Sequence, residues 1–138
     1  MHGTVVAVDG KGVLLRGPSG GGKSDLALRL IDGGAVLVAD DRTVLTREGG
    51  RIVAAAPASI LGRIEVRGIG IVTMAALERV TICLCVELVS AETARLPPPE
   101  TTDLLGVALP VIRLQPFQAS AAAKIRLAVR TSDRDIER

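Results

Sequence analysis

With 138 residues the chain is long enough for one domain and too short for two, so residues 1–138 are expected to form a single unit. Apolar residues make up 48% of it, which allows a sizeable core, but Phe117 is the single aromatic and the core has to be aliphatic. A net charge of +2, with both signs mixed along the chain, excludes the extended basic face of a nucleic-acid-binding protein, and the scarcity of aromatics removes the stacking platforms used on single strands.

Thr4 to Val8 and residues 13–16 are short apolar runs on either side of Asp9-Gly10-Lys11-Gly12, a turn signal that predicts a β-hairpin. A glycine-rich loop follows at Gly17. Helical spacing starts at Ser24 and runs through Leu26, Ala27, Leu30 and Ile31, until Gly33-Gly34 stops it. Residues 35–39 are an apolar run that ends on Asp40-Asp41 and read as a buried strand. Residues 43–46 and 51–55 flank Arg47-Glu48-Gly49-Gly50, a second hairpin signal. Residues 64–67 alternate apolar and charged, with Gly68 and Gly70 just after.

Residues 81–89 are the longest β-type run and predict a central strand. They contain both cysteines, Cys83 and Cys85, which strand alternation would point to one face as two small buried hydrophobes. A lone C-x-C pair lacks the four ligands of a structural zinc site. Leu96-Pro97-Pro98-Pro99 reads as an extended loop, because three prolines remove backbone donors. Residues 104–114 read as a strand pair or one strand bent around Gly106, and residues 119–129 as an alanine-rich terminal helix carrying Lys124 and Arg126. Fifteen glycines and seven prolines fit such short elements in an α/β protein better than a helical bundle. There is no signal peptide and no apolar run of membrane-spanning length, so a soluble cytoplasmic protein with no membrane partner is expected.

The most specific local pattern is Gly17-Pro18-Ser19-Gly20-Gly21-Gly22-Lys23-Ser24, a full match to G-x-x-x-x-G-K-[ST]. Its glycines permit positive φ and let backbone N–H groups converge on phosphate oxygens. The helix behind it offers free N–H groups and the positive end of its dipole. Lys23 brings a point charge to the β- and γ-phosphates of ATP, and the Ser24 hydroxyl suits Mg²⁺. The bland alternative is a glycine turn capping a helix. With Gly at about 7% of residues, a chance match in a chain of this length has odds of about 1 in 200. The strand before the loop and the helix after it decide for phosphate binding.

If residues 35–39 lie beside the loop strand in a βαβ unit, Asp40 and Asp41 reach the edge that holds the phosphates. One carboxylate there suits Mg²⁺ through water, or accepts a proton from an attacking hydroxyl; the alternative is a turn-forming Asp pair. His2, the sole histidine, reads first as a disordered terminal residue. If Val8 pairs with Val13, opposed residues sum to 21 and His2 lies across from Ser19, within reach of the phosphates. Glu65 and Arg67 taken alone read as solvated strand residues.

Taken together, the residues resemble a known family. A His before a hairpin is followed by Gly17 to Ser24, then Asp25-Leu26-Ala27-Leu28-Arg29-Leu30-Ile31, then Leu37-Val38-Ala39-Asp40-Asp41-Arg42, then Gly62-Arg63-Ile64-Glu65-Val66-Arg67-Gly68-Ile69-Gly70-Ile71-Val72. This resembles the catalytic domain of bacterial HPr kinase/phosphorylase over nearly the whole chain, and residues 64–72 resemble the family's own signature. The resemblance implies the α/β fold of HPr kinase and PEP carboxykinase: a P-loop core with a βαβ unit, β-hairpins and a C-terminal helix. It implies ATP and Mg²⁺ as cofactors, an HPr-type phosphocarrier protein as partner, a hexamer, and the short proteobacterial form without an N-terminal domain.

By position, Lys23 and the loop from Gly17 to Ser24 match the ATP-binding and catalytic loop. Ser24 and Glu65 match the Mg²⁺ positions. Asp41 matches the residue that accepts the serine proton and returns one in the reverse direction, and His2 and Arg95 match a catalytic histidine and arginine. Pro110-Val111-Ile112-Arg113 resembles the family's mobile basic loop, with its usual Gly-Arg-Asn replaced by Leu114-Gln115-Pro116, a departure that bears on the phosphorylase direction. The rival expectations are a small-molecule kinase or nucleotide hydrolase using the same loop, and a nucleotide-binding regulatory module without turnover.

Overall fold

The computed structural model describes residues 1–20 and 22–138, and its first hairpin sets the register of everything near the loop. β1 (Thr4–Val8) and β2 (Lys11–Arg16) pair antiparallel, with Val8 opposite Lys11 and Thr4 opposite Leu15. The turn is Asp9-Gly10 alone, with φ of +52° and +78°, the two left-handed residues of a type I′ turn. Such a turn matches the right-handed strand twist, so Lys11 and Gly12 join the strand. Opposed residues therefore sum to 19 and not to 21, and His2 does not face Ser19. The correction is an even step, so every side chain keeps its face.

α1 (Lys23–Asp32) follows the loop, its buried face made by Leu26, Ala27 and Leu30, and Gly33 and Gly34 close it through N–H bonds to Arg29 and Ile31 carbonyls. Next come β3 (Val36–Ala39), the hairpin of β4 (Val44–Glu48) and β5 (Arg51–Ala55), a 3-10 turn at Ala58–Ile60, and the hairpin of β6 (Arg63–Val66) and β7 (Gly70–Thr73). β8 (Val80–Leu88) is the long central strand. β9 (Glu100–Leu104) and β10 (Val107–Leu114) form a hairpin about Leu105-Gly106, which settles the 104–114 region as a strand pair whose first member starts at Glu100. α2 (Ala121–Arg130) is the terminal helix.

The main sheet runs β3-β1-β2-β8-β10-β9, with β5 attached to the start of β8 and β4 outside it. β3 does not lie beside β2 as expected: β1 stands between them, antiparallel to both. The crossover through α1 therefore skips one strand but still leaves β2 and β3 running the same way. β8 is parallel to β2, and β10 is parallel to β8. Four strands thus end at one edge, and from it emerge the glycine loop, the Asp pair, residues 89–99 and residues 115–120. Open α/β sheets bind ligands at the carboxyl ends of their strands.

The core has two layers, one on each face of the sheet. One packs Leu26, Leu30, Ala121 and Ile125 of the helices against Val6, Val13, Leu15, Leu84 and Val86. The other is closed by strands alone, with Ile52, Ala54, Leu104 and Val111 against Val5, Leu14 and Val38. Deleting a fully buried leucine such as Leu14 or Leu30 costs about 2–5 kcal/mol. The alternation expected of Cys83 and Cys85 fails. A bulge pairs Gly12 with Ile82 but Val13 with Leu84, so Cys83 packs on the helical layer and Cys85 on the other. Burial pushes the Cys85 thiol up to about 11 and raises that of Cys83 as well, which makes both inert hydrophobes at neutral pH.

Candidate active site

The glycine loop leaves β2 at Gly17, where the chain runs so close to β8 that a Cβ would stand 3.1 Å from Leu88 Cβ. Gly20 and Gly22 have φ of +75° and +94°, a region that glycine alone enters at no steric cost. Gly21, expected in the same loop, lies outside the described residues. Pro18, Ser19 and Gly20 are exposed, whereas Lys23 is only 6% exposed. Its Nζ donates to the carbonyls of Gly17, at 2.8 Å, and Pro18, at 3.1 Å. The ammonium thus curls back across the loop that α1 terminates, in the place where phosphate oxygens would meet both the charge and the helix N-terminus.

Asp40 joins three segments. It is 8% exposed. Its Oδ1 accepts from Ser24 Oγ at 2.6 Å and from Thr4 Oγ1 at 3.2 Å, and its Oδ2 accepts from the Glu65 N–H at 3.1 Å. A buried carboxylate needs such partners to offset its desolvation. Thr4 sits in an otherwise apolar strand for this purpose, and its hydroxyl also accepts the Asp41 N–H at 3.0 Å. Expectation had singled out Asp41 of the pair; the structure makes Asp40 the buried junction that ties loop helix, first strand and β6 together. The sequence signal for it was an acid closing a buried apolar run.

Asp41 is held differently. Its φ is +67°, uncommon outside glycine although tolerated by Asp. Its N–H is fixed by Thr4 and its carbonyl accepts the Gly3 N–H at 2.9 Å. A backbone pinned on both sides in this conformation turns the side chain outward, where it is 55% exposed. His2 forms a bridge with Arg42, not with the loop, and its Nδ1 stands 3.9 Å from Asp41 Oδ1. That distance is electrostatic contact and too long for a hydrogen bond. The corrected register thus moves His2 from the phosphates to the neighbour of Asp41.

Glu65 follows the buried Ile64 on β6, so its own side chain lies on the exposed face, with its backbone on Asp40. Arg67 reaches the loop: a Cβ on Gly20 would stand 3.7 Å from its Nη2. Arg95 is exposed in the segment that leaves the same edge after β8, and among the described residues no hydrogen bond or ion pair joins it to the site. Arg113 ends β10 at this edge and pairs with Glu100 at 3.0 Å, a contact that raises its already high pKa. Lys23, Ser24, Asp41, His2 and the backbone of Glu65 are therefore brought together, and among the described residues neither Arg95 nor Arg113 makes a hydrogen bond or ion pair with them.

The residues fit a hard divalent cation. Mg²⁺ takes oxygen ligands, usually one or two protein groups with water completing the shell. Ser24 donates its proton to Asp40 and so keeps oxygen lone pairs to offer beside the Asp40 carboxylate, and the Glu65 backbone N–H fixes the other oxygen of that carboxylate.

The profile described as "HPr Serine kinase C-terminal domain" matches residues 1–131. HPr kinase/phosphorylase of Chlorobium phaeobacteroides is 38% identical over 126 residues, covering 82% of this chain and 37% of that protein. The enzyme of the same name from Lacticaseibacillus casei strain BL23 is 40% identical over 114 residues, covering 77% of this chain and 34% of that protein. The chain thus spans little more than a third of the curated relatives it matches. The solved Hpr(Ser) kinase/phosphatase from Coxiella burnetii superposes with a TM-score of 0.82 at 30% identity, over 94% of this chain and 93% of that one.

Proposed function

The chain belongs to the HPr serine kinase C-terminal domain family, and on that premise we propose that it transfers the γ-phosphoryl group of ATP to a serine hydroxyl of an HPr-type phosphocarrier protein. The supporting observation is the edge where Lys23, the Asp40 junction and the outward Asp41 meet at the ends of parallel strands. Phosphoryl transfer asks a protein mostly for positioning and charge. The loop amides and Lys23 hold the β- and γ-phosphates. Ser24, Asp40 and Glu65 would hold Mg²⁺, which when bound would offset charge on the phosphate oxygens.

Asp41 accepts the serine proton as the serine oxygen bonds to phosphorus and the bond to the leaving ADP oxygen breaks. Its exposure lets it meet a hydroxyl presented from another protein, and His2 Nδ1 stands 3.9 Å from its Oδ1. In the reverse direction inorganic phosphate attacks the phosphoserine, Asp41 returns the proton to the serine oxygen, and pyrophosphate leaves. The loop that holds the β- and γ-phosphates also suits the incoming phosphate. Arg95 approaches the transferring group once a protein substrate orders its segment. A hexamer and a cytoplasmic location belong to the same reading; no described helix is long and apolar enough to cross a membrane.

The test incubates the chain with an HPr-type carrier, Mg²⁺ and γ-labelled ATP, then adds phosphate. Label on a carrier serine, chased into pyrophosphate, is the expected result. ADP formation with no labelled carrier would move the reading to a small-molecule kinase or hydrolase.

A further inference from the structure

We propose that the ring of Phe117 is the platform on which the base of the bound nucleotide stacks, an inference that rests on the phosphate-binding reading of the loop. Residues 115–118 emerge from β10 at the carboxyl edge and turn against the glycine loop. A Cβ on Gly22 would stand 3.0 Å from Phe117 Cζ and 3.0 Å from Pro116 Cβ, so the ring touches the last glycine before Lys23. Pro116 is buried, whereas Phe117, the chain's single aromatic, is 70% exposed. Burial gives no reason for a phenyl ring there.

The ring is also held in place. Arg29 of α1, fixed by Asp25 at 3.0 Å, donates to the carbonyls of Pro116 and Gln118, the residues on either side of Phe117. Gln118 N–H closes a turn onto the Gln115 carbonyl at 3.3 Å. The helix that presents its N-terminus to the phosphates thus clamps the backbone that presents the ring. A nucleotide whose phosphates fill the loop has to lead its ribose and base out along the loop's outer wall, and Phe117 is the aromatic surface on that wall. Every base has a π-face, so such a platform favours nucleotides over inorganic polyphosphates without selecting adenine.

The experiment measures dissociation constants for Mg·ATP, Mg·GTP and magnesium pyrophosphate by calorimetry, on the intact chain and on Phe117→Ala, Phe117→Leu and Phe117→Trp. Phe117→Ala and Phe117→Leu should each weaken ATP and GTP alike by about 5- to 100-fold, with pyrophosphate unchanged within about twofold. Phe117→Trp should keep nucleotide affinity, and its indole, unique in the chain, should be quenched by ATP but not by pyrophosphate. Equal losses for ATP and pyrophosphate, or full ATP affinity in Phe117→Leu, would show a ring that merely packs on the loop and overturn the proposal. If the intact chain binds neither ligand, the phosphate-binding reading falls and takes the platform with it. Binding of pyrophosphate as tight as ATP by the intact chain overturns the platform alone.

Discussion

The two halves of the carboxyl edge are built in opposite ways. At the ends of β2 and β3, backbone and side chains are fastened to one another: Lys23 to two loop carbonyls, Asp40 to three donors, Asp41 through both its N–H and its carbonyl. At the end of β8, residues 91–99 are exposed throughout, and Arg95 has no hydrogen bond or ion pair among the described residues. Gripping a phosphate chain is the same task each cycle and rewards donors fixed in advance. Receiving a protein surface is not, and a segment left free can settle when that surface arrives. Under the proposed function, the difference separates a preformed anion and metal site from a partner-dependent one.

Mutations can sharpen or break this division. The largest effect is expected from Asp41→Asn, which removes the proposed proton acceptor: carrier phosphorylation should fall about 10²- to 10⁴-fold while Mg·ATP affinity, read by calorimetry, stays within about twofold. Normal turnover in that variant would remove Asp41 from the mechanism. Lys23→Met should lower kcat/KM about 10²- to 10³-fold and also lower Tm, since the bonds to the Gly17 and Pro18 carbonyls are lost together with the phosphate grip. Arg95→Ala should lower carrier phosphorylation by about tenfold and leave both Tm and the ATP dissociation constant unmoved. An equal loss of ATP affinity would place Arg95 in the preformed half and erase the division.

Asp40→Ala tests the fastening itself. It strips the partner from Ser24, Thr4 and the Glu65 N–H, at a cost of about 3 kcal/mol in unfolding free energy, visible as a fall in Tm on the order of 10 °C. The smallest effect lies far from the site. The Arg130 guanidinium hydrogen-bonds Asp9 and holds its carboxyl below the ordinary 3.8, and it ties the first turn to α2. A folded-state value below the unfolded one stabilises the fold above pH about 3.8 and stops doing so as pH falls through the lowered value. Asp9→Asn keeps a residue that accepts positive φ, so its small Tm deficit at pH 7 should fade as the pH drops below the ordinary carboxylate range and through the lowered value.

Much of this was legible in the residues. The loop, its helix and the edge position of the Asp pair follow from local patterns that carry their own geometry. Register did not, because Asp9-Gly10-Lys11-Gly12 can be divided into turn and strand in two ways, and only twist matching selects the shorter turn. Strand order was hidden too, since a crossover helix fixes direction but not whether a strand intervenes. Asp40 and Phe117 escaped for a different reason. Their roles rest on partners far along the chain, at Glu65 and Thr4 for one and at Gly22 for the other, and no local pattern encodes those contacts.

The two carbonyl bonds of Lys23 have a consequence for selectivity. An ammonium has three N–H donors and two are taken here, so an incoming anion gains one bond at once and any further bond only by displacing a loop carbonyl. Chloride or acetate brings too little charge and too few oxygens to do so, whereas a di- or triphosphate also engages the loop amides and the helix terminus at once. The lysine's own resting contacts thereby weight the loop toward a polyphosphate, which can displace them, over a small anion, which takes the one remaining donor.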